Sequence, residues 1–340
     1  MNLATGVFGT GGSVRLSVLA VTFLWIIWAG ATPGYAQRQM ERLDRGLVAV
    51  QSGPQEVYLS WRLLKDDPKD LAFNVYRQAE HSSQTVRVND QAIVKTCDFT
   101  DRGVSPGRYT YSLRVVSQGK EEPAGSLFVV EVTEKPRPYV SIKLDGDHTF
   151  QKVGIADLNG DGSLDIVIKQ PNQNIDPYEA YWKPSPSTYK LEAYTLKGKM
   201  LWRYDLGWAI EQGIWYSPYI VHDLDGDGKA EVAVKTGEGD PRDSDGRVQS
   251  GPEYLTILDG ETGKPVTRVD WPSRELFPSY NYASRNQLAV ACLDGKTPAL
   301  IVLRGTYNVM VAIAYRYQKG QLTEIWRWDN RGLERKFQGQ

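Results

Sequence analysis

The sequence has little of what most often carries metal or redox chemistry: two cysteines and three histidines in 340 residues. Cys97 and Cys292 fall in different regions of the chain. No disulfide framework is expected, and both read as buried apolar fillers. His81, His148 and His222 lack metal-ligand spacing; even His222, beside an acidic loop, reads as a structural histidine. No charge of one sign prevails, with 40 Lys and Arg against 41 Asp and Glu. Nothing in that balance points to nucleic acid as a partner, and none is expected. Long hydrophobic runs are missing except near the N-terminus, where residues 16–29 follow Arg15 and precede Gly34, Tyr35 and Ala36. The run is shorter than the roughly 20 residues a membrane-spanning helix needs. A signal peptide over residues 1–36, cut before Gln37, is expected, leaving a secreted or periplasmic protein without membrane attachment.

What the sequence does have is a pair of acidic loops in the same register. The first holds Asp157, Asn159, Asp161, Gly162, Ser163 and Asp165; the second, 66 positions on, holds Asp223, Asp225, Asp227, Gly228, Lys229 and Glu231. Positions 1, 3 and 5 offer side-chain oxygens, position 7 (Ser163 or Lys229) a backbone carbonyl, and position 9 a closing carboxylate. A hard cation with six to eight oxygen ligands, Ca²⁺, suits such a cage. An EF-hand closes instead at position 12 and sits between helices. Here β-branched runs, 166–168 and 232–234, follow at once, so the loops join strands. Asp-Gly and Asn-Gly are also ordinary hairpin residues; the recurrence of four oxygen-bearing positions is what argues for calcium.

Residues 37–135 alternate apolar and polar in short runs (57–61, 73–76, 109–115 and 127–130) separated by turn residues such as Pro106 and Gly107. Such spacing predicts a β-sandwich of about 90 residues. Pro136 and Pro138 mark a stiff linker. From 139 to 340 each acidic loop is followed by a second hairpin ending in Arg203-Tyr-Asp205 or Arg268-Val-Asp270. A third copy ends in Arg327-Trp-Asp329, and its first loop keeps only Asp294 and Gly295. Four short strands per unit predict propeller blades. Three blades are fewer than the four to eight that usually close a propeller, so the fold class expected is all-β: a sandwich followed by an incomplete propeller, in the front part of a longer protein or a truncated product.

With these features in place, Val234-Lys235-Thr236, the stretch SGPEYLTILDG at 250–260, Ser284-Arg285-Asn286, Leu293-Asp294-Gly295 and the stretch LRGTY at 303–307 resemble the secreted rhamnogalacturonan lyases of polysaccharide lyase family 11. The resemblance implies a small β domain and an eight-bladed, calcium-binding propeller whose central cleft cleaves the rhamnogalacturonan I backbone of pectin by β-elimination. It also implies a chain nearly twice as long, with the principal catalytic groups in later blades. Elimination removes the C5 proton of a galacturonate and expels its O4 substituent, so a cation must offset the C6 carboxylate and a base must reach C5. Lys235, Asn281, Tyr282, Arg285, Arg304 and Tyr307 are the candidate substrate contacts, and the base is assigned to no residue. Two other readings compete with an active lyase: a non-catalytic calcium-stabilised propeller that holds glycans or proteins, since FG-GAP repeats share such loops, and an inactive remnant. The aromatic insertion from Tyr178 to Tyr189 reads either as a sugar-stacking surface or as packing over its own unit. The acidic stretch holding Asp240, Asp243 and Asp245 reads as a solvated turn.

Overall fold

In the computed structural model, residues 42–333 are described; the expected signal peptide lies outside them. The alternation seen in the sequence becomes strands, and almost nothing else. Among the described residues there is one turn of α-helix, α1 (Tyr280–Ala283), with two single 3₁₀ turns and twenty strands.

Eight strands form the N-terminal unit: β1 (Val48–Gly53), β2 (Glu56–Ser60), β3 (Ala72–Ala79), β4 (Thr85–Arg87), β5 (Asp98–Arg102), β6 (Gly107–Ser117), β7 (Lys120–Glu121) and β8 (Ser126–Val132). They build a three-stranded sheet ordered β1-β2-β5 and a five-stranded one ordered β4-β3-β6-β7, with β8 also on β6. Alternate residues of each point inward, because successive side chains of a strand face opposite ways. Val57 and Leu59 are fully buried while Tyr58 between them is exposed. The inward residues of both sheets form one cluster with Trp61, Phe73, Val75 and Tyr111. The Tyr111 hydroxyl crosses between the sheets to donate to Asp101 at 2.7 Å, and Arg77 pairs with the same carboxylate at 2.6 Å.

Twelve strands follow: β9 (Gln151–Ala156), β10 (Asp165–Gln170), β11 (Lys190–Thr195), β12 (Met200–Asp205), β13 (Tyr219–His222), β14 (Glu231–Gly237), β15 (Glu253–Leu258), β16 (Pro265–Asp270), β17 (Asn286–Ala291), β18 (Ala299–Thr306), β19 (Val309–Gln318) and β20 (Gln321–Asp329). They form three open, four-stranded antiparallel meanders: β9 to β12, β13 to β16, and β17 to β20. The repeat extends to register. Ala156 lies opposite Asp165, His222 opposite Glu231, and Ala291 opposite Ala299. Each Arg-x-Asp ending closes the last strand of its meander.

The central meander is covered on both faces. Val232 and Val234 pack with Val167, Leu191 and Tyr219 of the first contact, whereas Ala233, one residue out of phase, packs with Leu255, Leu300 and Val302 of the second. The outer meanders have one face covered, and Val153, Ile155, Ile325 and Trp326 are exposed. Neither cysteine is the buried filler expected; both are unpaired and half-buried, Cys97 lying at the margin of the N-terminal core. The N-terminal unit meets the meanders at the first acidic loop, where the Asp44 amide donates to the Gly162 carbonyl at 2.8 Å.

Where the meanders meet, one glycine has no room for a side chain. A Cβ on Gly260 would lie 1.9 Å from the Ala230 carbonyl oxygen, and the Gly260 carbonyl accepts the Trp202 indole N–H at 2.6 Å. The β15–β16 turn is thus packed closely on the second acidic loop and bonded to β12. Gly260→Ala should therefore cost about 1–3 kcal/mol, as overpacking in a filled interior does. Denaturant unfolding with an unchanged slope and a lower midpoint would measure it; an unchanged midpoint would refute the packing argument.

Candidate functional site

Antiparallel meanders sort their loops to two ends. The acidic loops, 157–164 and 223–230, join the first two strands of their meanders at one end. The longer connections 171–189, 206–218, 238–252 and 271–285 gather at the other. A six-residue strand separates these ends by about 20 Å.

The two acidic loops fold alike. Asp157 accepts the amides of Gly160 and Gly162, both at 2.7 Å, and Asp223 those of Gly226 and Gly228 at 2.6 and 3.1 Å. The closing residue turns back in both: Asp165 accepts the Leu158 amide at 3.2 Å and Glu231 the Leu224 amide at 2.9 Å. Asn159 and Asp161, like Asp225 and Asp227, each accept the amide two residues on. Oxygens of Asp223, Asp225 and Asp227 come within 4.8 Å of one another. Burial, then the neighbouring Asp161 and Asp157, pushes the Asp165 carboxyl up to about 6. Burial and three aspartates push Glu231 up to about 8. The donor set is all oxygen and under mutual repulsion, which fits a hard divalent cation. Lys229 can contribute only its backbone carbonyl, its amine being turned to Glu261 at 2.7 Å. The third loop has no cage: Asp294 accepts two amides of its own turn and pairs with Arg316. His222 bonds the Asp223 carbonyl through Nδ1 at 2.9 Å, and His148 pairs with Glu192.

At the other end, five of the six candidate substrate residues collect around one cavity of about 310 Å³. Arg285, Arg304 and Tyr307 line it, together with Asp176, Trp215 and Gln287. Asn281 accepts Arg285 Nε at 3.1 Å, and Tyr282 meets Tyr307 edge-on with ring centres 5.3 Å apart. The Arg285 guanidinium binds both oxygens of Asp176 at 2.7 and 3.1 Å and lies 5.0 Å from the Trp215 ring centre. Tyr307 holds a left-handed backbone, φ 53°, unusual for an aromatic residue.

Lys235 stands apart, in a buried ion cluster between the second and third meanders. Glu253 there takes Lys235 at 2.7 Å, Arg304 at 2.6 Å and Arg274 at 3.1 Å. Arg304 also donates to the carbonyls of Ala283 and Pro272. Lys235 and Arg304 are 5 % and 2 % exposed, so both are engaged within the protein, although Arg304 forms part of the cavity wall.

Residues that sequence reasoning passed over complete the site. Glu211 accepts the Trp182 indole at 3.1 Å and the Tyr280 hydroxyl, and Tyr280 also reaches Tyr216 at 3.1 Å. Three long loops are thereby tied together. Burial pushes the Glu211 carboxyl upward. The aromatic insertion divides its roles: Tyr189 is buried, Trp182 is bonded to Glu211, and Tyr178 and Tyr181 are exposed with rings 5.9 Å apart. The stretch with Asp240, Asp243 and Asp245 is exposed, its carboxylates paired with its own Arg242, Arg247 and Gln249.

The Glu253 cluster gives a pH test. Burial alone would raise its carboxyl, but Lys235, Arg304 and Arg274 prevail and hold it down to about 2. A carboxyl depressed on folding adds stability that is complete above its unfolded value, about 4.5, and is lost as pH falls toward 2. Glu253→Gln should be destabilised by about 3–5 kcal/mol at neutral pH, since it strands buried cations, and should lose less further stability between pH 4.5 and 2 than the parent. Parallel acid-unfolding curves would contradict the assignment.

Comparison with known proteins accords with this architecture. The family model described as rhamnogalacturonan lyase family 11, C-terminal domain, matches residues 137–340, and that of the rhamnogalacturonan I lyase β-sheet domain matches residues 38–130. The chain is 35% identical over 328 residues to the rhamnogalacturonan endolyase YesW of Bacillus subtilis, covering 87% of this chain and 50% of that protein. It is 33% identical to the exolyase YesX of the same organism, covering 86% and 51%. The crystal structure of YesW superposes with a TM-score of 0.76 at 34% identity, covering 88% of this chain and 54% of that one. That of a Bacillus licheniformis family 11 lyase gives 0.77 at 33%, with the same coverage. The chain spans about half the length of the curated relatives it matches. It belongs to the family 11 rhamnogalacturonan lyases.

Proposed function

We propose that this protein serves the cleavage of rhamnogalacturonan I, exported by its N-terminal signal and braced by calcium. The single observation that carries the substrate class is family membership across both regions, with two lyase models matching residues 38–130 and 137–340. On this reading residues 37–135 are a β-sandwich and residues 139–340 are propeller blades, three of the eight that the family resemblance implies. The cavity beside Trp215 is then part of a cleft at the loop-rich end, where propellers present functional groups. In the reaction a base takes the C5 proton of galacturonate, the C4–O4 bond breaks, and a C4–C5 double bond forms. Cations facing the C6 carboxylate stabilise the charge that develops.

Calcium supplies the charge that the two acidic loops need. Asp157, Asn159, Asp161 and Asp165, with the Ser163 carbonyl, hold one ion; Asp223, Asp225, Asp227 and Glu231, with the Lys229 carbonyl, hold the other. Both loops stand about a strand length, roughly 20 Å, from the cavity. These ions therefore hold strands in place and take no part at the cavity itself.

One observation favours a second reading, in which this chain holds glycan without cutting it. Arg285, Arg304 and Lys235 are all bonded to carboxylates and none is free to act as a base. An assay separates the two: rhamnogalacturonan I with calcium should yield the ultraviolet absorbance of an unsaturated uronide. Glycan binding without that absorbance would assign the second reading to the chain. Calcium is tested independently. Asp161→Ala and Asp227→Ala should each remove one bound calcium by elemental analysis. Chelation should lower the melting temperature, since an ion at a hundred times its Kd contributes about 2.7 kcal/mol. Unchanged stoichiometry would reject the ligand sets.

A further inference from the structure

A second cavity, of about 220 Å³, shares Trp215 and Gln287 with the first and continues past Asn286 and Leu288 to Lys152. Trp215 thus lines both of two adjoining cavities, together called the groove. Its backbone is fixed, because its carbonyl accepts both the amide and the side-chain Nδ2 of Asn286, at 3.1 and 2.9 Å. Asn286 is itself held by the Trp271 indole at 2.7 Å.

Lys152 occupies an unusual place on β9. Val153 lies opposite Ile168 and Gln151 opposite Lys169, so Lys152 is the extra residue of a β-bulge. Its φ is 56°, a left-handed conformation that strains a side-chain-bearing residue and collects at functional sites. Bulges commonly re-aim a side chain beside such a site. The bulge is held from both flanks: the Tyr219 hydroxyl donates to the Lys152 carbonyl at 2.8 Å, and the Gln151 side chain donates to the Gln173 carbonyl at 2.6 Å. The Lys152 ammonium lies 5.2 Å from the Tyr219 ring centre.

Charge separates Lys152 from every other cation along the groove. Arg285 is neutralised by Asp176 and Arg304 by Glu253. Lys152 makes no ion pair among the described residues, and neither does its neighbour Lys169, whose amine donates to the Ser217 carbonyl at 2.8 Å. Burial, then Lys152, pushes the Lys169 ammonium down to about 7. Burial lowers the Lys152 ammonium too, but Lys152 is the cation lining the groove that has no carboxylate partner among the described residues.

We propose that Lys152 and Trp215 form a subsite for an acidic sugar, with the ammonium taking the uronate carboxylate and the indole face taking the apolar face of the adjoining neutral sugar. The subsite rests on the polysaccharide reading above and extends it to a residue that sets charge specificity. The strained bulge places Lys152, a cation without a carboxylate partner, on the wall of the groove.

Calorimetric titration of the 340-residue chain with a rhamnogalacturonan I oligosaccharide, and with the same oligosaccharide after reduction of its carboxyl groups, tests this. Lys152→Glu should raise Kd for the acidic oligosaccharide at least tenfold and leave that for the reduced one unchanged. Trp215→Ala should weaken both. Lys152→Gly is the sharper variant, because glycine accepts the left-handed conformation freely. It should melt at or above the parent temperature yet bind the acidic oligosaccharide at least tenfold more weakly, which a purely structural lysine would not do. Equal binding by the parent, Lys152→Glu and Lys152→Gly would overturn the subsite and leave the substrate class standing. No binding of either oligosaccharide by the parent would overturn both.

Discussion

Burial of sheet faces is the constraint on which the rest depends. A four-stranded meander of six-residue strands has two faces and too few residues to cover either by itself, so it persists by stacking on neighbours. β14 meets this demand with apolar side chains on both faces, Val232 and Val234 toward one neighbour and Ala233 toward the other. Near the loop-rich end the stacked faces turn polar, and Lys235, Arg304 and Arg274 converge on Glu253. A buried charge tolerates that setting only with partners. Arg304 consequently joins two functions, closing a meander interface while its stem walls a cavity.

Antiparallel pairing then separates tasks along each strand. Tight, oxygen-rich turns close one end, and the opposite end carries connections of a dozen or more residues that can project side chains. Asp44 fastens the N-terminal unit to the tight-turn end, bonding Gly162 through its amide while its carboxylate is held by Arg62 and Ser126. Gly162 permits this approach: a Cβ there would lie 3.1 Å from the Asp44 amide nitrogen. The same glycine gives the acidic loop its left-handed turn, φ 84°, so loop geometry and the contact between units rest on one residue.

Much of this was legible in the sequence because it is local or repeated. The runs flanking each acidic loop became β9 with β10 and β13 with β14, and the degenerate third copy became β17 with β18 in the corresponding register. Arg285 and Tyr307 were recoverable from a family resemblance confined to short motifs, and Asn281 and Tyr282 from their place in the loop beside one of them. Glu253 lies inside one of those motifs, yet nothing local distinguishes a carboxylate that gathers three cations from a solvated one. Asp176, Trp215 and Glu211 sit in connections of irregular sequence, and their meaning arises from contacts across 29 to 109 positions, such as Trp182 with Glu211 and Asp176 with Arg285. Lys152 was missed for another reason: a bulge changes which face a residue points to, and strand alternation offers no sign of it. The cysteines were misjudged because residue type alone was used; both are half-buried.

The repeat also shows how one position acquires different roles. Lys169 on β10 and Lys235 on β14 each stand four residues past the carboxylate that closes an acidic loop, and both point into the next interface. Lys235 finds Glu253 on the neighbouring strand and becomes part of the scaffold. Lys169 finds a carbonyl and the Tyr189 ring, 4.7 Å from its amine, and remains without a counter-charge. The difference follows from the strand that pairs beside each lysine: Glu253 begins β15 opposite Gly237, whereas β11 begins with Lys190 opposite Gln170. With no carboxylate supplied at that corner, Lys169 is pushed toward its neutral form, and Lys152 is left as the cation of the first meander that lines the groove.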